Sequence, residues 1–140
     1  MPSLVRSSDI EKYLRNRLET DGYVLINKPR RNGETGPDII AEKPGENIHI
    51  EVISFESSPP ARSLDFFQAF FRAISRIELG ATRCVIATSL RFENGLPTRV
   101  NQYKTGWARI GKVFPELEIW LVDCDRKECK QTKWGEWVKK

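Results

Sequence analysis

Three acidic residues stand where a side chain can be aimed: Glu11, Asp38 and Glu51. Glu51 lies in the middle of the apolar run IHIEVIS. An unpaired carboxylate buried there costs several kcal/mol or is forced to take up a proton, so it demands a partner, a metal or solvent. Asp38 follows Gly36-Pro37, and the fixed φ of proline suits a side chain that must point in one direction. Hard carboxylate oxygens in pairs suit Mg²⁺ (or Mn²⁺), which takes one or two carboxylates, keeps several waters and completes its shell with phosphate. Such an ion polarises a phosphoryl oxygen and lowers the pKa of bound water, so the matching reaction is phosphodiester hydrolysis.

Each acid also has a structural reading. Glu11 is the fourth residue of Ser8-x-x-Glu11, a capping box. Asp38 could be a turn residue, and Glu51 could be neutralised by a nearby arginine or lie on an exposed edge. His49, two residues before Glu51 on the same strand face, reads as a hydrogen-bonded core histidine.

The elements around these residues follow from periodicity and turn chemistry. A helix is predicted over 8–20, with Ile10, Tyr13, Leu14 and Leu18 at helical spacing and Asp21-Gly22 as its stop. Strands are predicted at 23–27, 38–42 and 47–54. In the last, Ile48, Ile50 and Val52 face one way and His49, Glu51 and Ile53 the other. The short turn at 43–46 makes the second and third strands an antiparallel hairpin. Ser57-Ser58-Pro59-Pro60 reads as a break, followed by a helix over 63–79 closed by Gly80. Its apolar stripe is Phe66, Phe67, Phe70, Phe71, Ile74 and Ile77, and Asp65, Gln68, Arg72 and Arg76 fall on another face. TRCVIATS, 82–89, is a strand buried on both faces. A helix over 98–113 and a strand over 117–123 complete the core. The fold class is therefore α/β or α+β, a mixed sheet with helices packed on both faces.

The chain has 140 residues, 23 Lys+Arg, 19 Asp+Glu and a net charge of +4. That length fits one domain, 1–140, able to bury a core without disulfide or zinc staples. No apolar run of about 18 residues spans a membrane, and the N-terminus lacks the apolar stretch of a secretory signal. Three cysteines without paired ligand spacing argue against structural zinc and suggest a reducing, cytoplasmic setting. Cys84 reads as a small core residue. No phosphate-binding glycine loop is present, so no nucleotide cofactor is expected. Lys28, Arg30 and Arg31 crowd one loop, a charge cluster suited to nucleic-acid phosphates. Residues 126–140 read as a basic tail, a solvated end whose Trp134 and Trp137 could stack on bases or a partner surface.

Pro37-Asp38, a turn, and then Glu51-Val52-Ile53 resemble the PD-(D/E)xK nuclease superfamily. EKYLRNRLETDGYVLIN, GPDIIAE and IHIEVIS are similar to archaeal Holliday-junction resolvases and their relatives. The resemblance covers residues 8–89 closely and the rest in element order. It implies a restriction-endonuclease-like core of order αβββαβ with a C-terminal helix, strand and tail. It further implies metal-dependent cleavage of DNA, with a preference for branched structure, by a homodimer. Carried over by position, Glu11, Asp38 and Glu51 would bind the metal. Gln68 and Arg72 would present polar groups from the helix to phosphate or the attacking water. The chain departs from the pattern at residue 53, where Ile53 replaces the lysine. Lys28, Lys43 and Arg72 are the candidates to take its place. A relative that has lost catalysis and acts as a DNA-binding or assembly module is the alternative.

Overall fold

The computed structural model describes residues 4–29 and 36–138. Among these, α1 (Ser7–Thr20), β1 (Val24–Leu25), β2 (Ile39–Lys43), β3 (Glu46–Val52), α2 (Pro59–Ser75) and β4 (Arg83–Ser89) follow one another in the expected order. Then come α3 (Leu96–Gln102), α4 (Lys104–Val113), β5 (Leu117–Asp123) and β6 (Glu128–Lys133). The six strands form one open mixed sheet in sequence order. β1, β2 and β3 are antiparallel neighbours, β3, β4 and β5 run parallel, and β6 returns antiparallel. The β2–β3 hairpin is the one the turn at 43–46 predicts.

The sheet divides the core in two. On one face α1 lays Ile10, Leu14 and Leu18 onto Ile39, Ile48, Ile50 and Val85. On the other, α2, α3 and α4 cover Cys84, Ile86, Ile119 and Leu121 with Phe66, Val100 and Trp107. β4 lies between β3 and β5, and Cys84 through Ser89 are all buried, as its continuous apolar run requires. Burial pushes the Cys84 thiol up to about 11, so it stays protonated and behaves as a small apolar side chain.

Several local expectations are corrected. α1 begins at Ser7 with Arg6 at its N-cap and no side-chain cap, so Ser8 and Glu11 form no capping box. Glu11 instead pairs with Arg15 one turn on, at 2.8 Å. α2 begins at Pro59, not 63: Ser58 is its N-cap, and the two prolines that read as a break occupy the first turn. There the missing N–H costs nothing and the fixed φ is already helical. Phe71 does not belong to the buried stripe; it is 69% exposed. The helix over 98–113 is two helices, broken at Tyr103.

The basic tail is built into the fold. Residues 128–133 extend the sheet as β6, and 134–137 form a 3-10 turn. Trp134 is 2% exposed, so it is a core residue and not a platform for bases.

Candidate functional site

Asp38 immediately precedes β2, and Glu51 lies near the end of its neighbour β3. The register of the two strands pairs Ile39 with Ile50. Asp38 stands just before β2, and its N–H donates to the Ile50 carbonyl at 3.1 Å. Successive strand residues alternate faces, so within β3 Glu51 points to the α2 side while Ile50, like Ile39 of β2, fills the α1 side. The Asp38 carboxylate accepts the Val52 N–H at 2.7 Å through Oδ2, which fixes its direction at the end of β3.

The chain around Asp38 is clamped from the α1 side. Arg15 donates to the carbonyls of Asn27 and Asp38, each at 2.7 Å, while Glu11 holds its Nε. Asn27 Nδ2 donates to the carbonyls of Pro37 and Asp38, and its Oδ1 accepts the Ile40 N–H at 2.8 Å. Glu11 thus acts on Asp38 through a guanidinium and a backbone carbonyl. Among the described residues, no group of three or more His, Cys, Asp or Glu side chains is placed to hold a metal ion. The expected set Glu11, Asp38 and Glu51 is therefore not assembled as a three-carboxylate cage; Asp38 is bonded through the Ile50 carbonyl and the Val52 N–H, the chain neighbours of Glu51.

Glu51 is 3% exposed. Arg76, in the 3-10 turn after α2, donates to its Oε1 at 3.1 Å. The cation that pairs with Glu51 among the described residues is Arg76, which is none of the three candidates. Lys43 lies over the Tyr23 ring, Lys28 is exposed, and Arg72 is exposed on α2. Arg76 falls on the helix face of Gln68 and Arg72 in the sequence reading, and in the structure it opens the 3-10 turn after α2 and reaches Glu51. Gln68 is exposed too, and among the described residues no hydrogen bond or ion pair joins Gln68 or Arg72 to Glu11, Asp38 or Glu51. Arg30 and Arg31 lie outside the described residues. Ile53 packs into the α2-side core, where a lysine would have to bury its charge.

His49 shares this face. It is 3% exposed, and its Nδ1 has no hydrogen-bond partner among the described residues, contrary to the satisfied histidine expected from sequence. Burial, and then the charge of Arg76, hold its pKa below the ordinary histidine value, against a smaller opposing pull from Glu42. The folded protein therefore keeps His49 neutral where the unfolded chain would protonate it. Stability from this group is complete above the unfolded value of about 6.5 and is lost as pH falls below it. Urea midpoints measured from pH 7.5 downward are expected to fall in the wild type and to stay flatter in His49→Leu; parallel curves would remove His49 as the cause.

Arg15, Asn27 and Arg76 are the site residues that sequence reasoning missed. Arg15 carried a signal, four residues after Glu11 on one helix face. Asn27 carried none, because its partners are distant in sequence; for Arg76 the sequence offered a neutralising arginine as one structural reading of Glu51, which the structure realises, but no local spacing singled out the residue 25 positions away.

No protein-family model matches the chain, and neither a curated protein nor a solved structure is found to match it. No helix among the described residues is long and apolar enough to cross a membrane.

Proposed function

We propose that this chain is a nuclease of the restriction-endonuclease-like kind, hydrolysing phosphodiester bonds in DNA with Mg²⁺ (or Mn²⁺). The observation that carries the reading is that Asp38, just before β2, is bonded to the Ile50 carbonyl and the Val52 N–H on either side of Glu51 in β3, with Arg76 against Glu51. The element order α1–β1–β2–β3–α2–β4 supports it, being the order that the sequence resemblance implies. Asp38 and Glu51 fit a magnesium ion by donor type and number, since one or two carboxylates suffice when water and phosphate supply the rest. Bound there, the ion would supply Lewis-acid activation of phosphate and water.

The chain's own residues have separable tasks. Asp38 is held in direction by the Val52 N–H. Arg15 and Asn27 fix the backbone beneath it. Arg76 supplies, beside Glu51, the positive charge that residue 53 lacks. A guanidinium remains protonated at any working pH, so its task would be electrostatic, not that of a base. Lys28, Arg30 and Arg31 would hold phosphates of the same DNA in a salt-dependent way. A homodimer acting on branched DNA is the setting that the resemblance favours, and the free cysteines suggest the cytoplasm.

A second reading rests on Ile53 and on the burial of Glu51: a relative that has lost catalysis and binds DNA or a protein partner through the same fold. One experiment separates them. Purified protein is incubated with linear and branched DNA in Mg²⁺, Mn²⁺ or EDTA, with calorimetry for metal binding. The nuclease reading expects metal-dependent cleavage, lowered at least about 10²-fold in Asp38→Asn and Glu51→Gln while DNA affinity is kept. Absence of both cleavage and divalent-metal binding in the wild type ends that reading, and DNA binding alone would establish the second.

A further inference from the structure

Away from Asp38 and Glu51, a cavity of about 230 Å³ opens between the segment after β3 and the start of α3. Arg62, Arg91 and Arg99 line it, over a floor of Phe55 and Phe92, and no carboxylate lines it among the described residues. Two of the arginines are held rigidly. The Arg62 guanidinium lies over the Phe55 ring, 4.5 Å from its centroid, and donates to the carbonyls of Glu56 and Ser57. The Arg99 guanidinium lies over Phe92 at 4.6 Å and donates to the Gly95 carbonyl and to Ser63 Oγ. All these partners are neutral. Neither Arg62 nor Arg99 forms an ion pair with a carboxylate among the described residues, in contrast to Arg15, Arg76 and Arg83.

Like charges that share a partly buried cavity repel one another, and burial strengthens the repulsion. Its imprint is visible at Arg99, whose pKa is held below the ordinary arginine value by burial and then by the charge of Arg62. Arg99 Nε is also buried without a hydrogen-bond acceptor among the described residues. Such an arrangement is unfavourable in the empty protein and favourable once an anion enters. Planar guanidiniums present N–H donors in the fork that matches phosphate oxygens. Stacking on the two phenylalanines sets the forks in place beforehand, so little ordering remains to be done on binding.

We propose that this cavity is an oxyanion site that takes a phosphate group, with Arg62 and Arg99 as its principal ligands and Arg91 at its rim. Gly95 is part of its design. A Cβ at Gly95 would collide with Arg99 Nη1, so any side chain there must move the guanidinium off its seat. The backbone of Gly95 itself is αR and strains no L residue. Phosphates of a nucleic-acid backbone and of a small phosphorylated molecule share this chemistry. The site does not depend on whether Asp38 and Glu51 hold a metal.

The test uses the full chain in EDTA, which keeps the metal reading out of the result. Inorganic phosphate is titrated while the Nε–H signals of Arg62 and Arg99 are followed by NMR. A labelled duplex oligonucleotide is titrated in parallel by fluorescence anisotropy. The wild type is expected to give saturable phosphate shifts at both arginines. Arg62→Gln and Arg99→Gln should each weaken phosphate about tenfold or more. Gly95→Ala, which leaves every charge in place, should weaken it as well, and it keeps the question open to test if an arginine variant fails to fold. Oligonucleotide affinity falling in step assigns the site to nucleic-acid phosphate. Unchanged oligonucleotide affinity with weakened phosphate assigns it to a small phosphorylated ligand. No saturable shift in the wild type, or phosphate binding equal in wild type and folded variants, overturns the proposal.

Discussion

Arg83→Ala is expected to destabilise the protein by about 3–5 kcal/mol, the usual result of removing one partner from a buried ion pair. Arg83 grips the Glu118 carboxylate with two hydrogen bonds, at 2.6 and 2.8 Å, and Glu118 is 2% exposed. The same guanidinium reaches Glu46 at 3.0 Å, and Tyr23 donates its hydroxyl to Glu46 at 2.9 Å. Lys133 and the indole of Trp120 complete the shell of Glu118. Residues from the sheet's β3, β4, β5 and β6 strands are thus tied at one end by a single arginine. Without it, Glu118 keeps a half-exposed lysine and an indole, which do not replace a bidentate partner in a low-dielectric site. Urea denaturation is the measurement. The double variant Arg83→Ala/Glu118→Gln should recover much of the loss, because it removes the stranded charge and not only its partner. A single variant within about 0.5 kcal/mol of wild type would show that the network is decorative.

The network also sets acid sensitivity. Burial pushes the Glu118 carboxyl up, and the hydrogen bonds and charges of Arg83, Trp120 and Lys133 more than offset it, so its pKa lies below the ordinary value. Glu46 is lowered by its hydrogen bonds to Tyr23 and Arg83. Stability from both is present above the unfolded carboxylate pKa of about 4.3 and is lost as pH falls through the folded values. This loss lies below the window in which His49 acts, so the two are separable along one pH series.

Trp134→Ala is expected to cost about 3–5 kcal/mol, the range for deleting a large aromatic from a core. Trp134 stacks on Trp107 with centroids 3.9 Å apart. The pair exchanges hydrogen bonds: the Trp107 indole donates to the Trp134 carbonyl at 2.8 Å, and the Trp134 indole to the Trp107 carbonyl at 3.0 Å. Phe66 and Phe70 close the other sides. Gly111 permits the approach of this segment, since a Cβ there would lie 3.1 Å from Gly135 Cα. Trp134→Phe should retain most of the packing and lose one hydrogen bond, about 1 kcal/mol. Calorimetric or urea unfolding measures both, and proteolysis should clip the C-terminal segment of the alanine variant first. A loss near zero would return residues 134–137 to the role of a solvated end.

Much of this molecule is legible in its amino-acid order. α1, the β2–β3 hairpin, β4 and β5 follow from the spacing of apolar residues, because burial on one face or both imposes a period that neighbours in sequence must obey. The alternation along IHIEVI alone places His49 and Glu51 on one face and Ile48 and Ile50 on the other. Tertiary structure alone decided what those polar residues meet. Arg76 is 25 residues from Glu51, and Arg83 is 35 from Glu118; no local period links such pairs. The start of α2 turned on whether two prolines begin a helix or precede it, which their fixed φ permits equally. The fate of residues 126–138 turned on Trp107, a partner in another helix against which Trp134 stacks. A run rich in lysine reads as solvated until the strand it can pair with and the ring it can stack on are known. Sequence therefore set which faces are apolar, and long-range packing chose the partner of each charge and each ring.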